Sequence, residues 1–300
     1  MHLPAEISEN VLMGPMTSYS IGGPAKYYAK PAEQEILIRI LQWAFDNGVQ
    51  TFILGGGTNI LVSDRGFEGL VVHLKDLDVK PVEINENGEC TVGAGTMLTP
   101  FVRHLAGRGF SGMEDLIGIP GTVGGALIMN AGAYTQEINQ SLIFVDVLTE
   151  NMRVKRVKKE EIGFQYRSAP GLKGKIVLSS KFRFTPGDPQ KLMTRVREVT
   201  AMRRDRQPLK WHSCGSVFKR PPGDYAGRLI EAAGLKGTSV GGAEISDKHA
   251  NFIINRGNAS ASDVIELIRI AKRRVEEEFS VSLQREVSLI GFKKKEIQDT

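Results

Sequence analysis

Apolar residues recur at helical spacing in three stretches of this chain and in short continuous runs elsewhere. Over 33–47, Leu37, Leu41, Ala44 and Phe45 fall on one face, and Gly48 supplies a stop. Over 189–206, Leu192, Val196, Val199 and Met202 form the stripe of a basic helix. Its arginines, Arg195, Arg197, Arg203, Arg204 and Arg206, are expected to be mostly a solvated face. A third helix over 261–279 carries Val264, Leu267, Ile268, Ala271, Val275 and Phe279. Strands are expected at 51–54, 70–74, 90–92, 143–148, 176–178, 250–255 and 283–289, the last carrying Glu286. Helices alternating with strands around a strand-rich middle, 71–185, indicate an α/β or α+β layer architecture. Pro186-Gly187-Asp188-Pro189 reads as a boundary.

At 300 residues the chain is too long for one small core, so two or three domains are expected. Thirty-nine basic against 34 acidic residues leave a net charge of +5. That mild excess suits phosphates and carboxylates. It does not indicate nucleic-acid binding, because there is no dense Lys/Arg tract; the nearest, Lys293-Lys294-Lys295, lies at the tail and reads as a solvated terminus. Cys90 and Cys214 are not spaced for a metal site, and a secreted disulfide framework uses more. No metal is expected. Met1-His2-Leu3-Pro4-Ala5-Glu6 is acidic and broken by proline, unlike a signal peptide. No apolar run is long enough to cross a bilayer, so the cytosol is the expected compartment, without membrane insertion. Oligomeric state is open.

The 33 glycines are unevenly placed, clustering at 55–57, 93–95, 118–125 and 241–242. In Leu54-Gly55-Gly56-Gly57-Thr58-Asn59-Ile60-Leu61 an expected strand runs into three glycines, a hydroxyl and an amide. Consecutive unhindered N–H groups of that kind can cradle a pyrophosphate, although a plain glycine turn would look the same. The run lacks GK[ST] and is not a P-loop. Gly118-Ile119-Pro120-Gly121-Thr122-Val123-Gly124-Gly125-Ala126 is more distinctive, and small residues continue through Asn130-Ala131-Gly132-Ala133-Tyr134. Its glycines and rigid proline make a loop whose backbone can lie flat against a ligand.

Together the two loops resemble the FAD-binding domain of vanillyl-alcohol-oxidase-type flavoproteins, in which one loop takes the pyrophosphate and the second lies along the flavin. Covalent members tether flavin through His or Cys. Neither occurs in these loops, so noncovalent FAD is implied. Three further stretches narrow the family: 17–25, Thr-Ser-Tyr-Ser-Ile-Gly-Gly-Pro-Ala; 164–168, Phe-Gln-Tyr-Arg-Ser; and, in the last third, Cys214-Gly215-Ser216-Val217-Phe218-Lys219 with Leu283-Gln284-Arg285-Glu286-Val287. In this order the motifs resemble the UDP-N-acetylenolpyruvoylglucosamine reductases, over about 14–292.

The resemblance implies an α+β fold: a two-part FAD-binding unit, 1–70 and 71–187, plus a C-terminal α+β substrate-binding domain, 188–300. It implies a catalytic trio of Arg167, Ser216 and Glu286. It implies FAD contacts from Gly55, Gly56, Gly57, Thr58, Asn59, Ile60 and Leu61, and from Ile119, Pro120, Gly121, Thr122, Gly124, Gly125, Asn130, Gly132 and Ala133. Arg206 matches a basic residue on the substrate diphosphate, Lys219 and Arg220, which follow the serine motif, are the further implied substrate-binding residues, and NADPH is the implied reductant. Longer members carry an insertion with a substrate-closing tyrosine. Only 220–240 separates Lys219 from Gly241-Gly242, so this is the shorter form, with its substrate clamp undefined. Read without the resemblance, Arg167 is a surface ion-pair partner, Ser216 a turn cap and Glu286 an exposed strand residue. Two rival readings share the glycines. A sugar or alcohol oxidase of the same fold would not need Ser216, and a nonenzymatic nucleotide module would need none of the trio. A Rossmann dehydrogenase lacks its GxGxxG here.

Overall fold

The apolar stripes of the sequence bury their faces in two separate cores. The computed structural model describes residues 2–300 except Val79 and Pro81. Unit 1 comprises Met1–Ser8, Tyr28–Gly56 and Leu70–Arg203, and unit 2 comprises Glu9–Tyr27, Gly57–Gly69 and Arg204–Thr300. The chain passes between them inside the strands Ile7–Leu12, Pro24–Ala29 and Phe67–His73, at Gly56–Gly57, and at Arg203–Arg204 in the last turn of the helix Pro189–Arg206.

Unit 1 holds helices α1 (Gln34–Asp46), α2 (Leu98–Gly107), α3 (Val123–Ile128), α4 (Lys159–Ile162) and α5 (Pro189–Arg206). A four-stranded antiparallel sheet, ordered Val154–Lys158, Leu142–Leu148, Ile176–Arg183, Glu89–Gly93, supplies its framework. Thr51–Leu54 pairs in parallel with Phe67–His73, with Leu54 opposite His73. α1 buries Leu37, Ile40, Leu41, Trp43 and Ala44, but Phe45 is 75% exposed. At 3.6 residues per turn Phe45 lies roughly 80° around the helix from Leu37, off the buried stripe. α5 buries Leu192, Val196 and Val199 as expected. Its arginines are not all solvated. Arg197, Arg204 and Arg206 are exposed, but Arg195 Nε donates to the buried Asp115 carboxylate at 2.7 Å. Arg203 lies against Gly118, with Nε 3.0 Å from where a Cβ there would sit.

Unit 2 holds α6 (Ala226–Ala232) and α7 (Ala261–Phe279). α7 opens on a reciprocal cap, Ser260 Oγ accepting from Asp263 N and the Asp263 carboxylate accepting from Ser260 N. Its buried stripe is Val264, Leu267, Ile268, Ala271 and Val275, packed with Tyr19, Leu61, Val217 and Phe218. Ser239–Val240, Ala243–Ile245 and Ile253–Asn255 form a small antiparallel sheet, and Ile60–Val62 pairs in parallel with Ser288–Ile290. The strands expected over 250–255 and 283–289 are therefore shorter, and Glu286 precedes its strand. Regular ladders give way there because Val217, Phe218 and Lys219 take main-chain and side-chain partners from both segments.

Candidate functional site

In unit 1 the two glycine runs meet. Strand Thr51–Leu54 delivers Gly55 and Gly56 against Gly121 and Thr122. A Cβ on Gly56 would lie 2.6 Å from Gly121 Cα, so only glycine permits this approach. The second run is not one continuous loop, as its composition suggested. Thr122 caps α3, its Oγ1 accepting from Gly125 N at 3.3 Å, so Gly124 and Gly125 lie in a helical turn. Ile119 O accepts from Thr99 Oγ1, and Pro120 leads into the cap. The N–H groups of Gly55, Gly56, Gly121 and Thr122 donate to no acceptor among the described residues, and Gly121 and Thr122 are buried. A buried donor left without an acceptor costs about 1–3 kcal/mol. Such a cluster fits the anionic and carbonyl oxygens of a dinucleotide cofactor.

The same unit brings Arg167 to the second run. Gln165 and Ser168 exchange two main-chain hydrogen bonds, at 2.9 and 3.1 Å, leaving Tyr166 and Arg167 at the tip of a tight turn. Arg167 sits at φ 54°, Asn130 at φ 41° and Tyr134 at φ 53°, a conformation that costs non-glycine residues free energy and clusters at ligand sites. Asn130 Nδ2 donates to Gln165 O at 3.1 Å, and Arg167 Nη2 donates to Gly132 O at 3.1 Å. Asn130 is itself fixed by Glu137 and Asn139. Gly132 and Ala133 pair with Glu137 and Gln136 in a short hairpin. Two motifs separated by more than thirty residues thus form one surface.

In unit 2, Gly57 stands at φ 64° and its carbonyl accepts from Ser18 N, while Thr58 O accepts from Ser18 Oγ. Gly57 and Asn59 N–H groups also lack acceptors among the described residues. Ile60 and Leu61 are buried in the parallel strand pair. Gly215 at φ 81° turns the chain so that Cys214 and Val217 face the core and the intervening Ser216 is half-buried. Val217 N donates to Asn251 O, and the Asn251 side chain bonds both Phe218 N (3.0 Å) and Phe218 O (2.9 Å). On the other side, Glu286 N donates to Val217 O at 2.8 Å, and Lys219 N donates to Gln284 O at 2.8 Å. Ser216, Lys219 and Glu286 are therefore set in register by neighbouring main chain. Arg206 and Arg220 are exposed, Arg220 with its guanidinium 4.0 Å over the Tyr225 ring. A cavity of about 410 Å³ in this unit, flanked by Trp211, Lys210 and Arg256, is lined by none of Ser216, Lys219 and Glu286.

Several supporting residues carry no signal in the sequence. Asn251 and Asn255 are lone polar residues in an apolar stretch, and both are buried. Asn255 Nδ2 donates to Tyr19 O at 3.0 Å. Among the described residues the fully buried Tyr19 hydroxyl has no nitrogen or oxygen partner, and it meets the Cys214 thiol. Burial pushes Cys214 up to about 12, the neighbouring Glu286 carboxylate adding to the rise, so it is a poor proton donor. In unit 1, His73 is buried, with Tyr28 Oη 2.8 Å from Nδ1. Burial, with the Lys30 charge, lowers it to about 4. Arg203 lies against Gly118, and desolvation lowers its pKa. Among the described residues no three metal-binding side chains gather, and no helix is long and apolar enough to cross a membrane.

The converging glycine runs with unused N–H groups, on an α+β fold, fit a dinucleotide cofactor. Residues 25–158 match the family described as FAD binding domain, and residues 207–290 match that described as UDP-N-acetylenolpyruvoylglucosamine reductase, C-terminal domain. The UDP-N-acetylenolpyruvoylglucosamine reductase of Clostridium novyi (strain NT) is 40% identical over 287 residues, 95% of this chain and 92% of that one. That of Chloroflexus aggregans is 42% identical over 294 residues, 96% and 99%. The crystal structure of UDP-N-acetylenolpyruvylglucosamine reductase from Thermus caldophilus superposes with a TM-score of 0.81 at 37% identity, covering 94% of this chain and 98% of its own. The chain belongs to the UDP-N-acetylenolpyruvoylglucosamine reductase family.

Proposed function

We propose that this protein reduces UDP-N-acetylglucosamine enolpyruvate to UDP-N-acetylmuramate with NADPH, in the cytosolic synthesis of peptidoglycan precursors, and so serves cell-wall formation, cell shape and division. The observation that carries the reading is similarity over nearly the whole chain. In functional terms 1–70 and 71–187 are assigned to FAD and 188–300 to the substrate. FAD supplies the hydride chemistry that no side chain provides. Main-chain N–H groups of Gly55–Gly57 and Asn59 are assigned to its pyrophosphate, and the 119–133 stretch to its ring.

Saturating an enol ether that bears a carboxylate drives negative charge into that carboxylate. Arg167, a permanent cation with a forked donor set, is assigned to that charge. Its tether to Gly132 supports this, because a preorganised donor loses little freedom when the charge develops. Glu286 donates to the same charge in its protonated form. Ser216 delivers the proton to the carbon beside the carboxylate, and Lys219 offsets the resulting alkoxide. Arg206 and Arg220 are assigned to the diphosphate. Stopped-flow absorbance of Ser216→Ala tests the scheme. Flavin reduction by NADPH should stay near normal, and reoxidation by the enolpyruvyl substrate should slow at least ~100-fold, the usual loss of a positioned acid. Equal slowing of both half-reactions would make Ser216 a structural residue.

A further inference from the structure

The Gly55–Leu61 run was expected to serve the cofactor throughout, yet the side chain of Asn59 is turned to another task. Its Nδ2 donates to the Glu286 carbonyl at 3.3 Å. Its own carbonyl accepts from Ser288 N at 3.0 Å, and the following strand continues the attachment, Ile60 opposite Ser288 and Leu61 opposite Leu289. Glu286 N donates meanwhile to Val217 O, and Val217, the residue after Ser216, is fully buried. The main chain of Glu286 is thus gripped at both ends, by Val217 at its N–H and by Asn59 at its carbonyl. With both fixed, the direction in which its Cα–Cβ bond leaves the backbone is set relative to Ser216.

We propose that Asn59 is a positioning residue for Glu286: its main-chain N–H belongs to the cofactor run, while its side-chain amide holds the carboxyl-bearing residue in place, so that the glycine run and the C-terminal acid form one mechanical piece. The proposal rests on Glu286 acting on the substrate. Asparagine is the required type, because the contact needs a neutral donor of this length, and an ionised aspartate can only accept. The amide sits 227 positions from its partner in the chain, which is why neither motif alone discloses the link.

The test uses holoenzyme carrying Asn59→Asp, an isostere without the donor, and Asn59→Leu, with circular dichroism to confirm folding. FAD affinity is read by flavin fluorescence and the two half-reactions by stopped flow. Loss of the amide should slow reoxidation by the enolpyruvyl substrate roughly 10- to 100-fold, the range expected from displacing a reacting group by up to an ångström. Reduction by NADPH should slow far less than reoxidation, in the uncharged Asn59→Leu as in Asn59→Asp, whose added charge beside the cofactor run is expected to lower FAD affinity by itself. Combined with Glu286→Gln, Asn59→Asp should add almost nothing, since it acts through that residue. A fall in FAD affinity with both half-reactions slowed together would overturn the proposal by making the amide a cofactor ligand. Unchanged reoxidation, or full additivity with Glu286→Gln, would overturn it as well. If Glu286→Gln alone left reoxidation intact, the role given to Glu286 would fall and this proposal with it. A slow Glu286→Gln beside a normal Asn59→Asp would sink only the positioning role.

Discussion

Protonating His73 should destabilise unit 1, and the size of the effect follows from its surroundings. The ring is buried and lies 2.8 Å from the Tyr28 hydroxyl. Only the neutral ring can accept from Tyr28 at Nδ1. Desolvation first, and the Lys30 charge second, lower the pKa from 6.5 to about 4. The unfolded chain therefore binds this proton at a higher pH than the folded one. Stability is complete above the unfolded value and is lost as pH falls through the folded value. The full gap corresponds to about 3 kcal/mol, of which about 2.5 kcal/mol is gone by pH ~4.5. His73→Gln keeps a donor and an acceptor without the titration. Urea denaturation at about pH 7 and pH 4.5 should show a stability drop smaller by about 2.5 kcal/mol in His73→Gln than in the wild type. Proton NMR of the ring, assigned by its loss in the variant, should show titration near 4. Parallel acid losses in both proteins, or titration near 6.5, would refute the reasoning.

Gly56→Ala should disrupt the meeting of the two glycine runs, because its Cβ would sit 2.6 Å from Gly121 Cα. A loss of about 1–3 kcal/mol in stability, with weaker FAD retention, is expected. Gly107→Ala, with nothing within 4 Å of the new carbon, should be neutral or stabilising in thermal melts. Cys214, buried and pushed up to about 12, should resist a thiol reagent in the folded protein at pH ~8 and react on denaturation. Cys214→Ala should keep most turnover; a collapse with FAD content intact would move the proton donor from Ser216 to Cys214.

The sequence alone determined the elements with strong periodicity and the motifs with unusual composition. α5 and α7 span 189–206 and 261–279 as their stripes dictate, because a long amphipathic face has one way to be buried. α2 was equally legible in Leu98, Phe101, Val102, Leu105 and Ala106, but Pro100 within that stripe and the glycines on either side masked it. Phe45 shows the limit in the other direction, since one position of phase takes a large apolar residue from the core to the surface. The glycine runs announced a ligand because their composition is costly in any ordinary loop. Tertiary structure decided what no local pattern encodes. It brought Gly56 against Gly121, tied Arg167 to Gly132, and gripped Glu286 between Val217 and Asn59. Buried polar residues such as His73 and Asn251 look like any others in the sequence. Their roles come from single hydrogen bonds to distant residues, and those partners exist only once the chain has folded.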